Sequence, residues 1–196
     1  MTVTQRANSN DAPPTPLRWI GTAAPLDRCL FLDRDGVVNE RILDGYVTAW
    51  HEFTWRDGAI EALKHLVDAV PLPLVIVTNQ SCVGRGLVPV ETVVEIQERM
   101  RVSLQAAGVP IAAWYCCPHR PEDGCLCRKP LPGMLEACRR ELGVALDRSY
   151  LIGDSDSDVQ AGKIAGCATW RVDTPRRLSE ALNDVIERER MRKSNL

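Results

Sequence analysis

Net charge, long apolar runs and internal repeats are what this sequence has least of. Against 24 Lys and Arg stand 26 Asp and Glu, a net charge of -2 over 196 residues. With no basic stripe interleaved with aromatics, which make up only 5% of the chain, nucleic acid and anionic membranes are poor partners. A small, local anion site stays open. No segment approaches the roughly 20 apolar residues that a membrane helix requires. Met1 to Pro16 is polar and proline-spaced, without the basic start and apolar stretch of a secretory leader. A cytoplasmic monomer with neither membrane nor nucleic-acid partner is the expectation, and the sequon-like Asn79-Gln80-Ser81 has no meaning in that compartment. Residues 1–16 and the charged tail from Glu187 to Leu196 read as disordered, which leaves 17–187 as one domain and 188–196 as a basic tail.

What is present is 45% hydrophobic residues, enough at this length to bury a core without staples. The eight cysteines therefore invite another explanation, and in a reducing compartment clustered thiols more often bind metal than pair. The hydrophobic pattern alternates between short buried runs and helical periods. Strands are expected at Cys29–Leu32, Leu72–Val77, Ile111–Tyr115, Tyr150–Ile152 and Ala168–Arg171. Helices are expected after Asp57 as N-cap, after Pro89 in a first turn, from Met134 to a cap at Gly143, from Val159 to Gly166, and from Pro175. Alternation of this kind implies a mainly parallel sheet covered on both faces, with ligands at the carboxyl ends of its strands.

Polar residues gather at those ends. Asp33-Arg34-Asp35-Gly36 follows the first strand and Thr78-Asn79-Gln80-Ser81 the second. A cysteine-rich loop with Arg128-Lys129 follows the third, and Gly153-Asp154 with Asp158 the fourth. Asp33 and Asp35, two apart, address one side of the sheet edge while the chain stays extended. Beside a hard cation such as Mg2+, which Asp154 can help to hold, one aspartate can attack phosphorus and the other protonate the departing alkoxide. The plain alternative is a capped turn. Asp154-x-Asp156-x-Asp158 fails as a calcium loop, because Val159 and Ala165 stand where that loop needs Gly and Glu. It remains either an acidic helix start or a magnesium ligand with an outer carboxylate. Thr78, Lys129 and Arg128 suit a phosphoryl group, although singly each reads as an ordinary strand-end or surface residue.

Cys117-Pro118-His119 and Cys125-Leu126-Cys127 place three sulfurs and one imidazole within eleven positions. That set closes a tetrahedral zinc site and leaves no open position, which makes the site structural. Cys116 is a neighbour able to compete with Cys117. Cys29, Cys138 and Cys167 read as small core hydrophobes, and Cys82 as a packing choice.

In order, Phe31 to Asn39, Val77 to Ser81, Cys117 to His119, Cys125 to Pro130, and Gly153-Asp154 with Asp158 resemble the haloacid dehalogenase superfamily of phosphatases. The likeness is to the branch acting on D-glycero-D-manno-heptose 1,7-bisphosphate or histidinol phosphate. It implies a Rossmann-like three-layer α/β sandwich with a zinc-bound loop and no large cap domain. It also implies Asp33 as nucleophile, Asp35 as acid and then base, and Thr78 and Lys129 on the phosphoryl group. Mg2+ is expected on Asp33, the Asp35 carbonyl and Asp154, with Asp158 behind them, and Zn2+ on Cys117, His119, Cys125 and Cys127. Substrate contacts are expected from Arg34, Gly45, Tyr46, Asn79, Gln80, Ser81, Arg128 and Ser155, together with Thr78 and Lys129.

The resemblance favours the heptose bisphosphate over histidinol phosphate. Two departures stand out: Ser155 where a lysine is usual, and Cys82 where a glycine is usual. A catalytically idle zinc-bearing adaptor is the reading from another class, and the intact charged set speaks against it. An end-processing phosphatase for nucleic acid meets the charge argument above.

Overall fold

The computed structural model describes residues 15–21 and 25–194. Apart from Thr15 and Pro16, the N-terminal segment expected to be disordered lies outside the described residues. Six strands form one sheet: β1 (Leu17–Ile20), β2 (Leu30–Leu32), β3 (Leu74–Asn79), β4 (Ile111–Cys117), β5 (Tyr150–Gly153) and β6 (Ala168–Arg171). Their spatial order is β1-β4-β3-β2-β5-β6, and all neighbours run parallel except β1 against β4.

Among the described residues, five α-helices cover the sheet: α1 (Ala59–Ala69), α2 (Val90–Ala106), α3 (Gly133–Leu142), α4 (Asp156–Ala165) and α5 (Pro175–Ser194). Strand alternation divides the core. Leu30, Leu32, Leu74 and Ile76 face Leu63, Ile96, Met100 and Leu182 of α1, α2 and α5. Phe31, Val75, Val77 and Leu151 face Leu135 and Cys138 of α3. The inner strands β2, β3, β4 and β5 are thus buried on both faces, which is why they read as continuous apolar runs, whereas the edge strands β1 and β6 are only partly covered.

The layered α/β architecture is the expected one, and Gly143 and Gly166 do cap α3 and α4 in left-handed conformations (φ 75° and 86°). Four local expectations are corrected. The cap of α1 is Gly58 at φ 67°, not Asp57. Pro89 is the N-cap of α2 rather than a residue of its first turn. Helix α4 begins at Asp156, not Val159, because Ser155 and Asp158 form a capping box that extends it by a turn. The tail from Glu187 is ordered helix through Ser194, held by Glu189, which is buried and takes the Arg28 guanidinium and the Tyr150 hydroxyl. β1 was not anticipated. Its Leu17-Arg18-Trp19-Ile20 is short, and its partner Ala113–Cys116 lies far along the chain.

Candidate active site

Because β2, β3, β4 and β5 are parallel, the residues that follow them meet at one edge. A cleft of about 440 Å³ opens there, lined by Asp33, Asp35, Thr78, Asn79, Ser81, Arg128, Lys129, Asp154 and Ser155 from the strand ends. Arg41, Ile42, Asp44, Gly45, Tyr46 and Val47 line it from the loop before α1, and Ser157 lines it from α4.

Lys129 is the centre of charge. Its Nζ donates to Asp33 Oδ1 at 2.8 Å and to the Val77 carbonyl at 2.9 Å, and pairs with Asp158. Burial alone would lower the lysine's pKa, yet Asp158 and Asp33 raise it, so it stays charged. For Asp33 the balance runs the other way. Burial pushes its carboxyl up to about 8, with Lys129 opposing and the charges of Asp158 and Asp35 adding to the rise.

Asp35 sits among donors. Arg34 reaches it through Nε and Nη2, Asn39 Nδ2 through a 2.9 Å bond and Gln80 Nε2 through a 2.7 Å bond. Burial acts to raise its pKa, and these donors outweigh burial to hold the carboxyl below its ordinary value. The same contacts redirect two residues expected to touch substrate. Arg34 is fully buried and Gln80 nearly so, and neither lines the cleft; both brace Asp35, while Gln80 also donates to Thr78 Oγ1 at 2.9 Å. Asn79 lines the cleft, but its amide is engaged with the backbone of Lys129.

Asp33, Asp154 and Asp158 each bring an oxygen within 4.8 Å of the others. Three carboxylates facing one buried lysine leave a negative excess, which suits a hard divalent cation. The oxygens of Asp158 are taken by Lys129 and by the backbone and hydroxyl of Ser155, so it stands behind the other two. Asp154 turns Oδ2 toward Arg41 Nη1 at 3.2 Å, and burial raises its pKa. Close packing fixes these carboxylates. A Cβ at Gly36 (φ +85°) would lie 2.2 Å from Asp154 Oδ2, and one at Gly153 2.2 Å from Asp158 Cβ.

The four zinc-ligand candidates also converge within 4.8 Å. Cys117 Sγ lies 3.6 Å from Cys125 Sγ and 3.5 Å from His119 Nδ1, which is 3.2 Å from Cys127 Sγ. Tetrahedral bonds of about 2.3 Å to sulfur place ligand atoms roughly 3.5–3.8 Å apart, so the spacing fits zinc and is far too long for a disulfide. A hydrogen bond from Cys127, reinforced by His119 and Cys125 against the effect of burial, holds the Cys117 thiol down to about 4. Cys116 does not compete. The next residue on a strand points the other way, and Cys116 packs in the core on the opposite face of the sheet. The loop closes directly onto the cleft, since Arg128 and Lys129 follow Cys127 and Arg128 Nη1 reaches the His119 carbonyl at 3.4 Å.

Arg41, Ile42 and Ser157 line the cleft without a signal in the sequence, and Asp44 and Val47 flank the expected Gly45 and Tyr46. Ser157 sits in the first turn of a helix whose true start was hidden, and its hydroxyl meets Ser155 Oγ at 2.8 Å. No pattern singles out Arg41 or Ile42. Tyr46, by contrast, was expected, and its hydroxyl meets Ser81 Oγ at 2.9 Å across the cleft.

Residues 126–191 match the family described as HAD-hydrolase-like. The chain is 41% identical over 147 residues, 75% of its length and 81% of the relative's, to D-glycero-beta-D-manno-heptose-1,7-bisphosphate 7-phosphatase of Bordetella bronchiseptica. It is 42% identical over 150 residues, 74% of its length and 78% of the relative's, to D-glycero-alpha-D-manno-heptose-1,7-bisphosphate 7-phosphatase of Mycobacterium bovis. The crystal structure of D,D-heptose 1,7-bisphosphate phosphatase from B. bronchiseptica complexed with magnesium and phosphate superposes with a TM-score of 0.75 at 34% identity. That superposition covers 83% of this chain and 99% of that one.

Proposed function

From the premise that this chain belongs to the haloacid dehalogenase-like phosphatase family that includes the heptose bisphosphate phosphatases, we propose that it removes the 7-phosphate of D-glycero-D-manno-heptose 1,7-bisphosphate. The observation that carries this reading is the arrangement at Asp33. Its Oδ1 is 2.8 Å from Lys129 Nζ, beside Thr78 and Asp154, at the floor of a cleft with further cations at its mouth.

Asp33 attacks phosphorus, the P–O bond to the sugar breaks, and Asp35 gives the departing oxygen its proton. Lys129 and Thr78 hold the phosphoryl oxygens. Water then attacks the aspartyl-phosphate while Asp35 takes its proton. The donors around Asp35 favour the carboxylate that this second half requires, and an entering phosphate dianion raises its proton affinity for the first half. Mg2+ held by Asp33, Asp154 and the Asp35 carbonyl offsets the repulsion between substrate and carboxylates. Cys117, His119, Cys125 and Cys127 would hold Zn2+, which would tie down the loop that presents Arg128 and Lys129. The enzyme works as a cytoplasmic monomer on a small phosphorylated sugar. Among the described residues no helix is long and apolar enough to cross a membrane.

The relatives carry heptose names, and they divide between the two anomers, so a phosphate-release assay with both anomers and with histidinol phosphate tests the substrate. Turnover of a heptose bisphosphate at least tenfold above that of histidinol phosphate is expected; the reverse order overturns the assignment. Asp33→Asn reduces turnover at least about a thousandfold if Asp33 is the nucleophile. Unchanged turnover would overturn the Asp33 mechanism, and the adaptor reading stands only if the unmodified protein turns over none of the three substrates.

A further inference from the structure

A substrate with two phosphates needs cations for both, and the cleft has few to spare. Lys129 is buried and engaged by Asp33, Asp158 and the Val77 carbonyl. Arg128 leans on the His119 carbonyl at one side of the mouth. Ser155, just after Asp154, is uncharged, and its hydroxyl is occupied by Asp158 and Ser157. Across the cleft, Arg41 comes from the loop before α1 and contacts Asp154 Oδ2 at 3.2 Å, with its side chain 56% exposed.

We propose that Arg41 is a specificity-determining residue of this cleft, one that exchanges Asp154 for the second, unreacted phosphate of the substrate. The inference rests on the sugar bisphosphatase reading above. Because the arginine side of the pair is largely in solvent, the contact breaks readily. A divalent cation on Asp154 sets two positive charges beside the guanidinium and favours its release. A phosphate offers two oxygens to the planar fork of the guanidinium, which Arg engages better than a single carboxylate oxygen. Asp44 on the same loop opposes anions near it, so the long, mobile arginine rather than the loop backbone is the group suited to reach the ligand.

Two consequences separate this role from a merely structural one. Arg41 and a divalent cation oppose one another at Asp154, so Arg41→Ala binds Mg2+ about two- to fivefold more tightly than the unmodified protein. Loss of a charged hydrogen bond to phosphate lowers kcat/KM for the bisphosphate about tenfold or more relative to kcat/KM for p-nitrophenyl phosphate, which has no second phosphate. Arg41→Lys recovers part of the ratio.

The experiment is titration calorimetry with Mg2+ alone, followed by steady-state kinetics on both substrates for the unmodified protein, R41A and R41K. Weaker or unchanged Mg2+ binding in R41A, or an unchanged ratio, overturns the proposal. If the unmodified protein hydrolyses p-nitrophenyl phosphate but no heptose bisphosphate, the substrate reading fails. The calorimetric arm still decides whether Arg41 opposes the cation.

Discussion

Asn79 clasps the backbone of Lys129 with both ends of its amide: Nδ2 donates to the carbonyl at 3.1 Å, and Oδ1 accepts from the N–H at 3.1 Å. The last residue of β3 is thereby bolted to the second residue after Cys127, the last of the zinc-ligand candidates. The ammonium that meets Asp33 keeps its position because its own backbone is fixed.

Asn79→Ala removes both bonds and leaves two backbone groups without their partner. We expect a stability loss of about 1–3 kcal/mol and a fall in kcat of about tenfold, with the zinc content unchanged. Urea unfolding and steady-state kinetics on one preparation check this. An effect on stability alone would limit Asn79 to holding the loop.

Gly36→Ala is a local test of the carboxylate cluster. The residue sits at φ +85°, and its new Cβ falls 2.2 Å from Asp154 Oδ2, so Asp154 must move. The expected result is a folded protein with weakened Mg2+ binding and turnover down by about a hundredfold. Circular dichroism and Mg2+ calorimetry read the two halves separately.

Cys125→Ser opens the four-ligand set. We expect less than one zinc per chain by elemental analysis and a stability loss of at least about 2 kcal/mol. Faster amide exchange should be confined to residues 117–129. A variant that keeps full stability without zinc would show that the loop stands by itself.

The acid limb of stability reports on Glu189. Burial acts to raise its pKa, but the bonds from Arg28 and Tyr150 hold it below the ordinary 4.5. A depressed carboxyl adds stability that is present above the unfolded value and is lost as pH falls through the folded one. Glu189→Gln should therefore cost about 2 kcal/mol at pH 7, and the gap to the unmodified protein should close below about pH 4.5. Urea melts from pH 7 to pH 3.5 measure the gap; a constant difference would exclude ionisation as its source.

The chain's local regularities were legible from the sequence. Apolar runs such as Leu74–Val77 announce strands buried on both faces, and the catalytic candidates Asp33 and Thr78 and the magnesium-ligand candidate Asp154 follow those runs. In a parallel sheet, a position just after a strand already specifies an edge, so the cleft could be assembled before any contact was known. The zinc-ligand candidates were legible for a related reason: four donors within a single loop need no distant partner.

What the tertiary structure alone decided depends on segments far apart in the chain. Arg34 and Gln80 look like cleft residues, yet both turn inward to brace Asp35. Arg41 meets a carboxylate 113 positions away, and Glu189 meets Arg28 across 161. A charged side chain reads in sequence as solvated, because exposure is its lowest-cost state. Only packing that removes water and supplies a counter-charge can reverse that preference, and such packing is a property of the whole fold.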